Sequence, residues 1–196
     1  MSATLERKDG GLRASDYGVR TVSVAEAKSF IFEHHYAKGS SNTAVYAFGL
    51  FHRILPQMLG VTVWLPPTRV AAESVDRDRW QKVLALSRMA VHPAVPRNAC
   101  SFMLSKAVRA IARDSRFVAL VTYADESQGH FGGVYRAAGW EYVGRTGAKP
   151  RWVDPVTGRQ VATQSTTTRK RSEMEALGYL RSGPFHKHKF IKRLTA

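Results

Sequence analysis

A predicted strand that ends in polar residues is the first place where chemistry can be expected. Residues 117–123 form an apolar run rich in valine and aromatic side chains, which predicts a strand buried on both faces. Its carboxyl end delivers Tyr123 and Asp125 to an edge of the sheet, where open α/β folds bind their ligands. A short predicted helix, residues 130–138, follows and ends at Gly139. Taken alone, the stretch is equally an ordinary strand–loop–helix unit with one solvated aspartate.

An arginine within a second apolar strand is more informative. Arg88 lies in the predicted strand 82–91, and a buried guanidinium needs a partner because an unpaired buried charge is strongly destabilising. The partner is either Asp125, in a structural ion pair, or a carboxylate or phosphate of a substrate that Arg88 orients. If Asp125 lies near His35 and Tyr135, it could instead accept a proton from an amine nucleophile.

Histidine and cysteine residues are further candidates, and each also has an ordinary structural interpretation. His35 and Tyr36 end the first predicted helix and could act as a base and a donor, or as a pair of metal ligands. The alternative is a surface histidine beside a packed tyrosine. The single cysteine, Cys100, could be a nucleophile, but a lone cysteine at a helix start is more often a packing residue. His186 and His188 have the spacing of a metal pair but lack carboxylate or thiolate neighbours in the sequence. Which metal, if any, is bound stays unknown.

Local signals predict the elements that position these residues. Ser23 and Glu26 form a capping box at the start of a helix that ends near residue 34. The remaining elements are strands 44–51, 59–65, 82–91 and 142–145, a helix after Asn98 as its N-cap, a hairpin 151–161, and a short helix 172–180. This order predicts an α/β (α+β) fold, in which helices flank a mixed central sheet. It lacks the regular alternation of a doubly wound fold.

Composition bounds the domain organisation and the cellular setting. With 196 residues, we expect a flexible lead-in at 1–20, a catalytic domain at 21–165 and a basic extension at 166–196. One cysteine allows no intrachain disulfide, and the polar N-terminus has no signal-peptide core. Both features favour a reducing, cytoplasmic location. There is no apolar run of membrane-spanning length and no basic amphipathic helix, so no membrane partner is expected.

The charge balance favours a polyanionic partner. Thirty lysines and arginines stand against 15 acidic residues, a formal net charge of +15, and cations placed at phosphates release condensed counterions. Nucleic acid is therefore the preferred partner. The residues expected to bind phosphates lie in the basic extension, although a solvated tail is the alternative for each of them: Arg169, Lys170, Arg171, Lys187, Lys189, Lys192 and Arg193.

The order of elements resembles the GNAT acyltransferase fold, with a central strand, a phosphate-binding loop, a helix, a further strand and a short helix. The most specific local match is Val134-Tyr-Arg-Ala-Ala-Gly-Trp140 followed by Tyr142-Val-Gly144, which resembles the GNAT pattern of a tyrosine before Gly-Phe/Trp. The resemblance implies that Tyr135 faces the thioester of an acyl donor and protonates the leaving thiolate.

A closer resemblance is to the phage Mom family, a GNAT-related group, over residues 30–145. It is carried by short blocks in the same order: His35-Tyr36, Phe48-Gly49-Leu50-Phe51, Leu86-Ser87-Arg88, Asn98 with Ser101, Tyr123-Ala-Asp125, Gly129-His130 and Tyr135. It implies carbamoylmethylation of the exocyclic amine of adenine in phage DNA, which protects that DNA from restriction inside the bacterial host cell. Some members of the group are linked to iron, so the resemblance also keeps iron as a candidate.

By this resemblance, two sets of residues surround the reaction. The catalytic set is His35, Tyr36, Asp125 and Tyr135. The set that binds the substrate or the donor is Ser87, Arg88, Asn98, Ser101 and Tyr123.

The predicted phosphate loop departs from the GNAT pattern. Residues 97–101 read Arg-Asn-Ala-Cys-Ser, without the glycines that let backbone amides close around a pyrophosphate. A helix N-terminus with Arg97, Asn98 and Ser101 could still bind an anionic or carboxylate ligand. The small-molecule donor is therefore either acyl-CoA or another acyl or glycyl carrier.

Three functions stay open at the level of sequence. The first is a Mom-like transferase acting on adenine, which would need to flip the base or melt the duplex to reach the amine. The second is an ordinary GNAT N-acetyltransferase of a small amine or protein. The third is a non-catalytic, basic DNA-binding module. A homodimer is compatible with each of the three.

Overall fold

The structure, a computed structural model, describes residues 11–161 and 169–194. The strands are β1 Tyr17–Thr21, β2 Tyr46–His52, β3 Met58–Leu65, β4 Val83–Val91, β5 Ala119–Asp125, β6 Glu141–Arg145, β7 Lys149–Val153, β8 Leu180–Phe185 and β9 Lys187–Arg193. The helices are α1 Val24–His34, α2 Arg69–Glu73, α3 Ala99–Ile111, α4 Gly133–Ala137 and α5 Arg171–Ala176. Single 3-10 turns lie at Trp80–Lys82 and Glu126–Gln128. No helix among these residues is long and apolar enough to cross a membrane.

The described chain divides into two compact units. The first unit comprises the residues up to 122 together with 134–141 and 191–194, and the second comprises 123–133 and 142–190 without the undescribed stretch. Strands β5, β6 and β9 each contribute residues to both units. The two units are described separately below.

A mixed sheet forms the first unit, with the strand order β1-β2-β3-β4-β5. The first three pairings are antiparallel and the β4–β5 pairing is parallel. Because alternate residues of a strand point to opposite faces, β4 sends Ala90 into a cluster with α1, and Met89 and Val91 into a cluster with α3. Helices α1 and α3 therefore cover opposite faces of this sheet, as the predicted α/β architecture requires.

Helix α1 begins where the sequence predicts. The Ser23 hydroxyl accepts from the Glu26 amide at 3.2 Å, and the Glu26 carboxylate accepts from the Ser23 amide at 2.8 Å. This reciprocal capping box satisfies two amides that the first turn cannot use. The helix then buries Ala27, Phe30 and Ile31 against the sheet.

Strand β4 has an irregular pairing with β3 at Ser87 and Arg88. Val63 of β3 pairs with Arg88 and Trp64 pairs with Leu86, so Ser87 is the extra residue of a β-bulge. Bulges re-aim side chains and are frequent beside functional sites.

The pairing between β4 and β5 is short. It covers only the first three residues of each strand, Val83–Ala85 with Ala119–Val121. The last link within this unit is the Thr122 hydroxyl, which donates to the Leu86 carbonyl at 3.2 Å. The part of β4 that carries Ser87 and Arg88 therefore lies beyond its ladder with β5.

The second unit contains the carboxyl end of β5 and most of the basic extension. Strands β5, β9 and β6 lie in that order, and β7 pairs antiparallel with β8. Gly132 has φ +80°, and a Cβ at this position would lie 2.2 Å from the buried Phe190 ring. Glycine is therefore required here both for its backbone conformation and for the close approach of β9.

Several predicted elements differ in the structure. Residues 17–20, expected in the flexible lead-in, belong to β1, which pairs with β2; residues 1–10 lie outside the described chain. The predicted connection 68–80 contains helix α2. The 151–161 hairpin forms, with the Val153–Gln160 bridge and backbone bonds from the Asp154 amide to the Arg159 carbonyl and from the Val161 amide to the Trp152 carbonyl, but β7 forms its ladder with β8. The basic residues 187–193 form strand β9.

Candidate functional site

Tyr135 is the buried acid of the first unit. It lies on α4 with 9% of its surface exposed and is hydrogen-bonded to Thr122 of β5. Burial raises the pKa of the Tyr135 hydroxyl; the hydrogen bond with Thr122 opposes the shift, and the charges of ionised Tyr36 and Cys100 add to it. Since the pKa of tyrosine already lies near 10, Tyr135 is protonated at neutral pH and can serve as a proton donor.

Three other segments of the first unit reach Tyr135. Tyr36 follows α1 and Cys100 lies in the first turn of α3, and both are close enough to Tyr135 for their charges to affect its pKa. Trp140 packs against Tyr135 with 6.0 Å between ring centroids. The structure thus brings together Tyr36 and Tyr135, two residues of the predicted catalytic set, beside the loop that precedes α3.

The thiol of Cys100 is not prepared for nucleophilic attack. Burial raises its pKa above the usual range, so the thiol carries its proton at neutral pH. The thiolate, not the thiol, is the nucleophile. The packing interpretation of Cys100 is therefore the one that the structure supports.

His35 and Tyr36 form a stacked pair, with ring centroids 4.3 Å apart and an interplanar angle of 29°. The His35 Nδ1 atom accepts a hydrogen bond from the Ala37 amide at 3.0 Å. A neutral ring with Nδ1 as acceptor carries its proton on Nε2, so His35 presents a donor on that side. Half of the Tyr36 surface is exposed, so part of this stacked pair lies at the protein surface.

Arg88 holds the loop that follows this pair. Its Nε donates to the Gly39 carbonyl at 2.9 Å, and its Nη1 donates to the Ser87 carbonyl at 2.8 Å. Arg88 is half-buried; the bond to Gly39 joins strand β4 to the segment after Tyr36, and the bond to Ser87 lies within β4. The position of Tyr36 therefore depends on Arg88.

The loop before α3 does not provide a glycine-rich phosphate cradle. Asn98 occupies the N-cap position of α3, as predicted, but its side chain accepts from the Leu12 amide and makes no capping bond to the helix. The Ala99 amide is already bonded to the Pro96 carbonyl at 3.0 Å, and the Ser101 hydroxyl donates to the Asn98 carbonyl at 3.0 Å. Residues 96–101 therefore do not fit the amide-lined binding of a CoA pyrophosphate.

Asp125 is the centre of a charged cluster in the second unit. Its Oδ2 lies 3.1 Å from Nη2 of Arg151 and 3.6 Å from Nζ of Lys187. Its Oδ1 accepts from the Ser127 hydroxyl at 2.6 Å and from the Ser127 amide at 3.1 Å. The guanidinium that partners Asp125 here is that of Arg151, whereas the sequence suggested Arg88.

Asp125 is ionised in this setting. Burial by itself raises the pKa of its carboxyl, but the hydrogen bond from Ser127 and the charges of Lys187 and Arg151 outweigh it and hold the pKa below the usual value. A carboxylate with a lowered pKa is a weaker base than a free one. Tyr123, two residues earlier on β5, is half-buried and belongs to the same unit.

A second acid, Glu126, ties the segment after β5 to the start of β9. Its carboxylate accepts from the His186 amide at 2.8 Å, and its Oε1 lies 2.9 Å from His188 Nε2. The His186 backbone bond, the largest cause, keeps the pKa of Glu126 below its usual value. His186 and His188 thus serve this contact, and no cluster of three metal-ligating side chains occurs within residues 11–161 and 169–194.

Most of the residues predicted to bind phosphates have partners in the chain. Lys192 donates to the Gly139 carbonyl at 2.8 Å, Arg193 donates to the Val75 carbonyl at 3.5 Å, and Arg171 pairs with Glu175. Burial lowers the pKa of Lys189. Lys187 belongs to the Asp125 cluster, while Arg169 and Lys170 are exposed.

Helix α3 carries a basic surface outside the extension. Lys106 and Arg109 of α3 are exposed and lie about 60° apart on a helix of 3.6 residues per turn, and the exposed Arg113 follows two residues after the helix ends at Ile111. The helix has no acidic residue, and in the described chain none of these three cations forms an ion pair. We refer to these three residues as the α3 cation face.

Comparison with known proteins identifies the family. Residues 16–195 match the Mom protein family. This chain belongs to the Mom family. The methylcarbamoylase mom of Escherichia phage Mu is a relative with 30% identity over 141 residues. The alignment covers 68% of this chain and 56% of that protein, so the chain spans little more than half the length of its curated relative.

Solved structures establish the fold of this Mom-family chain. Spermidine N-acetyltransferase from Vibrio cholerae, solved with CoA and spermine, has a TM-score of 0.56 at 7% identity, over 92% of this chain and 96% of that chain. An acetyltransferase of the GNAT family from Streptococcus pneumoniae has a TM-score of 0.55 at 10% identity, over 92% and 100%. At such identities the likeness concerns the fold alone, and the predicted GNAT-like architecture is confirmed.

Proposed function

We propose that this Mom-family protein transfers an acyl- or glycyl-derived group to the exocyclic amine of adenine in DNA. The observation that carries the proposal is its relationship to a phage methylcarbamoylase on a GNAT fold. The resemblance to the Mom family implies that the modification is a carbamoylmethyl group and that it protects phage DNA from restriction. The buried, protonated Tyr135 supplies the acid that such a transfer needs.

The proton balance assigns distinct roles. A bond forms between the adenine amine nitrogen and a carbon of the transferred group, the amine loses one proton, and the leaving group departs with its bonding electrons. Tyr135 donates its proton to that leaving group, because burial keeps the hydroxyl protonated, and the proton released by the amine restores the Tyr135 hydroxyl. Arg88 acts as a positioning residue through the loop after Tyr36.

The substrate amine must first be exposed. Adenine in a duplex is out of reach, so the base is flipped or presented from a melted strand. The stacked His35–Tyr36 pair, with half of the Tyr36 surface exposed, offers a π-face, and stacking of a base on an aromatic residue contributes about 1–3 kcal/mol. The net charge of +15 and the α3 cation face favour a DNA partner.

The donor is proposed by its chemical class only. CoA is the ligand in one structural relative, but residues 96–101 do not fit its pyrophosphate in the glycine-loop manner. We therefore propose an acyl or glycyl donor without assigning its carrier. The carboxylate of Asp125 serves mainly to hold Arg151 and Lys187, since both of its oxygens are occupied.

The experiment is mass spectrometry of nucleosides from the DNA of cells that express the protein. We expect a modified deoxyadenosine with the wild type, and about 10²–10⁴-fold less with Tyr135→Phe, the range of a lost general acid. Tyr17→Phe is the matched control, because Tyr17 is also 9% exposed and also loses only a hydroxyl.

Three results would contradict parts of the proposal. Unmodified adenine in cells with abundant folded wild type would remove the proposed substrate. Equal modification by the wild type and Tyr135→Phe would remove the acid role of Tyr135 while leaving the function intact. Acetylation of small amines without DNA would indicate an ordinary GNAT N-acetyltransferase instead.

A further inference from the structure

A buried guanidinium in the second unit has an unused donor. Arg151 lies on β7, and only 10% of its side chain is exposed. Its Nη2 binds Asp125, but its buried Nε has no hydrogen-bond partner among residues 11–161 and 169–194. Buried donors are almost always satisfied, and an unsatisfied one next to an ionised carboxylate needs an explanation.

The charge of this cluster is also unbalanced. Arg151 and Lys187 both lie within 4 Å of Asp125 Oδ2, at 3.1 and 3.6 Å, so two cations share one carboxylate. The next acid along the chain, Glu126, is bound to His186 and His188. One carboxylate balances only one of these two cations, so the cluster of Asp125, Arg151 and Lys187 keeps one excess positive charge beside the largely buried Arg151 side chain.

The polar neighbours hold Asp125 and do not compete for the cations. Ser127 donates to Asp125 Oδ1, and the amide of Gln128 donates to Oε1 of Gln160 at 3.0 Å. These bonds leave the Arg151 Nε and the ammonium group of Lys187 as the available donors. Lys187 is 43% exposed, so the cluster is accessible from solvent on that side.

We propose that Arg151 and Lys187 form an oxyanion-binding site anchored by Asp125. A phosphate or carboxylate oxygen accepts from Arg151 Nε and Lys187 Nζ, which satisfies the orphan donor and neutralises the excess charge. Guanidinium groups match both anions geometrically. The site deepens the proposed function and rests on it for the source of the anion, which is either a phosphate of the bound DNA strand or the carboxylate of a glycyl-type donor.

The first test observes Arg151 directly and needs no activity. The Nε–Hε resonances of arginine are followed by NMR while inorganic phosphate, and separately glycine, is titrated into the full chain. We expect a saturable shift of the Arg151 signal. Arg181, exposed on the paired strand β8, is the internal control and should shift little.

The second test locates the source of the anion. Binding of a single-stranded oligonucleotide is compared for Lys187→Gln and for the charge-matched control Arg181→Gln. A phosphate contact predicts about 5–10-fold weaker binding for Lys187→Gln alone, with the salt slope reduced by about 0.7 for the one lost contact. A donor carboxylate predicts unchanged DNA binding and a glycine-induced shift of Arg151 that Lys187→Gln weakens.

Either pattern upholds the oxyanion site. The inference is overturned if no anion shifts Arg151 saturably up to about 50 mM, the range of a weak site with a free energy of binding near −2 kcal/mol, and if Lys187→Gln and Arg181→Gln bind DNA equally. A saturable Arg151 shift in a protein that modifies no adenine would reject the proposed function and keep the site.

Discussion

Removal of the Asp125 charge should destabilise the protein by an amount that depends on how deeply its partner, Arg151, is buried. Asp125→Asn keeps the shape of the side chain and an oxygen that can accept from Ser127, but it leaves Arg151, 10% exposed, without its carboxylate. Breaking a buried pair in this way costs about 3–5 kcal/mol. We therefore expect the free energy of unfolding in urea to fall by that amount at pH 7.

The comparison variants separate burial from charge. Glu175→Gln breaks the exposed ion pair with Arg171 and should cost less than about 1 kcal/mol. Asp125→Asn combined with Arg151→Met removes both charges, and it should recover about 1–4 kcal/mol relative to Asp125→Asn alone. A loss below about 1 kcal/mol for Asp125→Asn, or no recovery in the double variant, would refute the reasoning.

The lowered pKa of Asp125 also predicts the direction in which this stabilisation changes with pH. The folded-state pKa of Asp125 lies below its usual value, and the unfolded value is about 3.9. The stabilisation is therefore complete above the unfolded pKa and is lost as the pH falls through the folded pKa. The difference in unfolding free energy between the wild type and Asp125→Asn should be constant from pH 7 to about 5 and should shrink below about 4.

Two further predictions concern the first unit. Replacing the three residues of the α3 cation face with glutamine should lower the salt slope of duplex binding by up to about 2.7, or about 0.9 for each lost phosphate contact. As a control, removing three charges at the exposed Arg13, Arg53 and Arg77 should lower the slope less. Equal slopes for the two triple variants would show that only the net charge matters. Cys100, whose pKa burial raises, should react with iodoacetamide at pH 8 at less than about a tenth of its rate in urea, and equal rates would contradict its burial.

Elements with local signals were predictable from the sequence. The capping box of α1 involves only Ser23 and Glu26, three residues apart. Strands β3 and β5 are each a single apolar run of seven or eight residues. No contact with a distant part of the chain is needed to recognise these signals. Strand β1 has no such signal, because Tyr17-Gly-Val-Arg-Thr21 is short and half polar. Its existence depends on the pairing with β2, which only the folded chain provides.

Charge composition was a poor guide to the basic extension. The stretch from Lys187 to Arg193 carries four lysines and arginines, yet Phe190 and Ile191 are buried and the segment forms β9. The long aliphatic stems of lysine allow such a strand to present its charges at its edges while its apolar residues are buried. A run of basic residues interrupted by two large apolar ones is the signal that could have identified it.

Arg151 was missed because its partner is distant in sequence. Arg151 is 26 residues from Asp125 in the sequence. It lies next to Trp152 on β7, and β7 pairs with the distant strand β8. The sequence analysis argued that a buried arginine needs a carboxylate, and it applied the argument to Arg88. In the structure Arg88 is only half-buried and satisfied by backbone carbonyls, so the same physical rule holds at a different residue.

Burial alone does not decide the protonation state of an acid in this protein. Tyr135 and Asp125 are both below 10% exposed, and desolvation opposes ionisation in each. Tyr135 has neutral or potentially anionic neighbours in Thr122, Tyr36 and Cys100, so burial prevails and the proton stays. Asp125 has two cations and the Ser127 donors, so burial is outweighed and the proton leaves. Environments that move two acids in opposite directions are the usual means by which one fold provides a proton donor and a fixed charge at the same pH. The roles assigned here to Tyr135, as acid, and to Asp125, as anchor of Arg151, follow from that difference in neighbours.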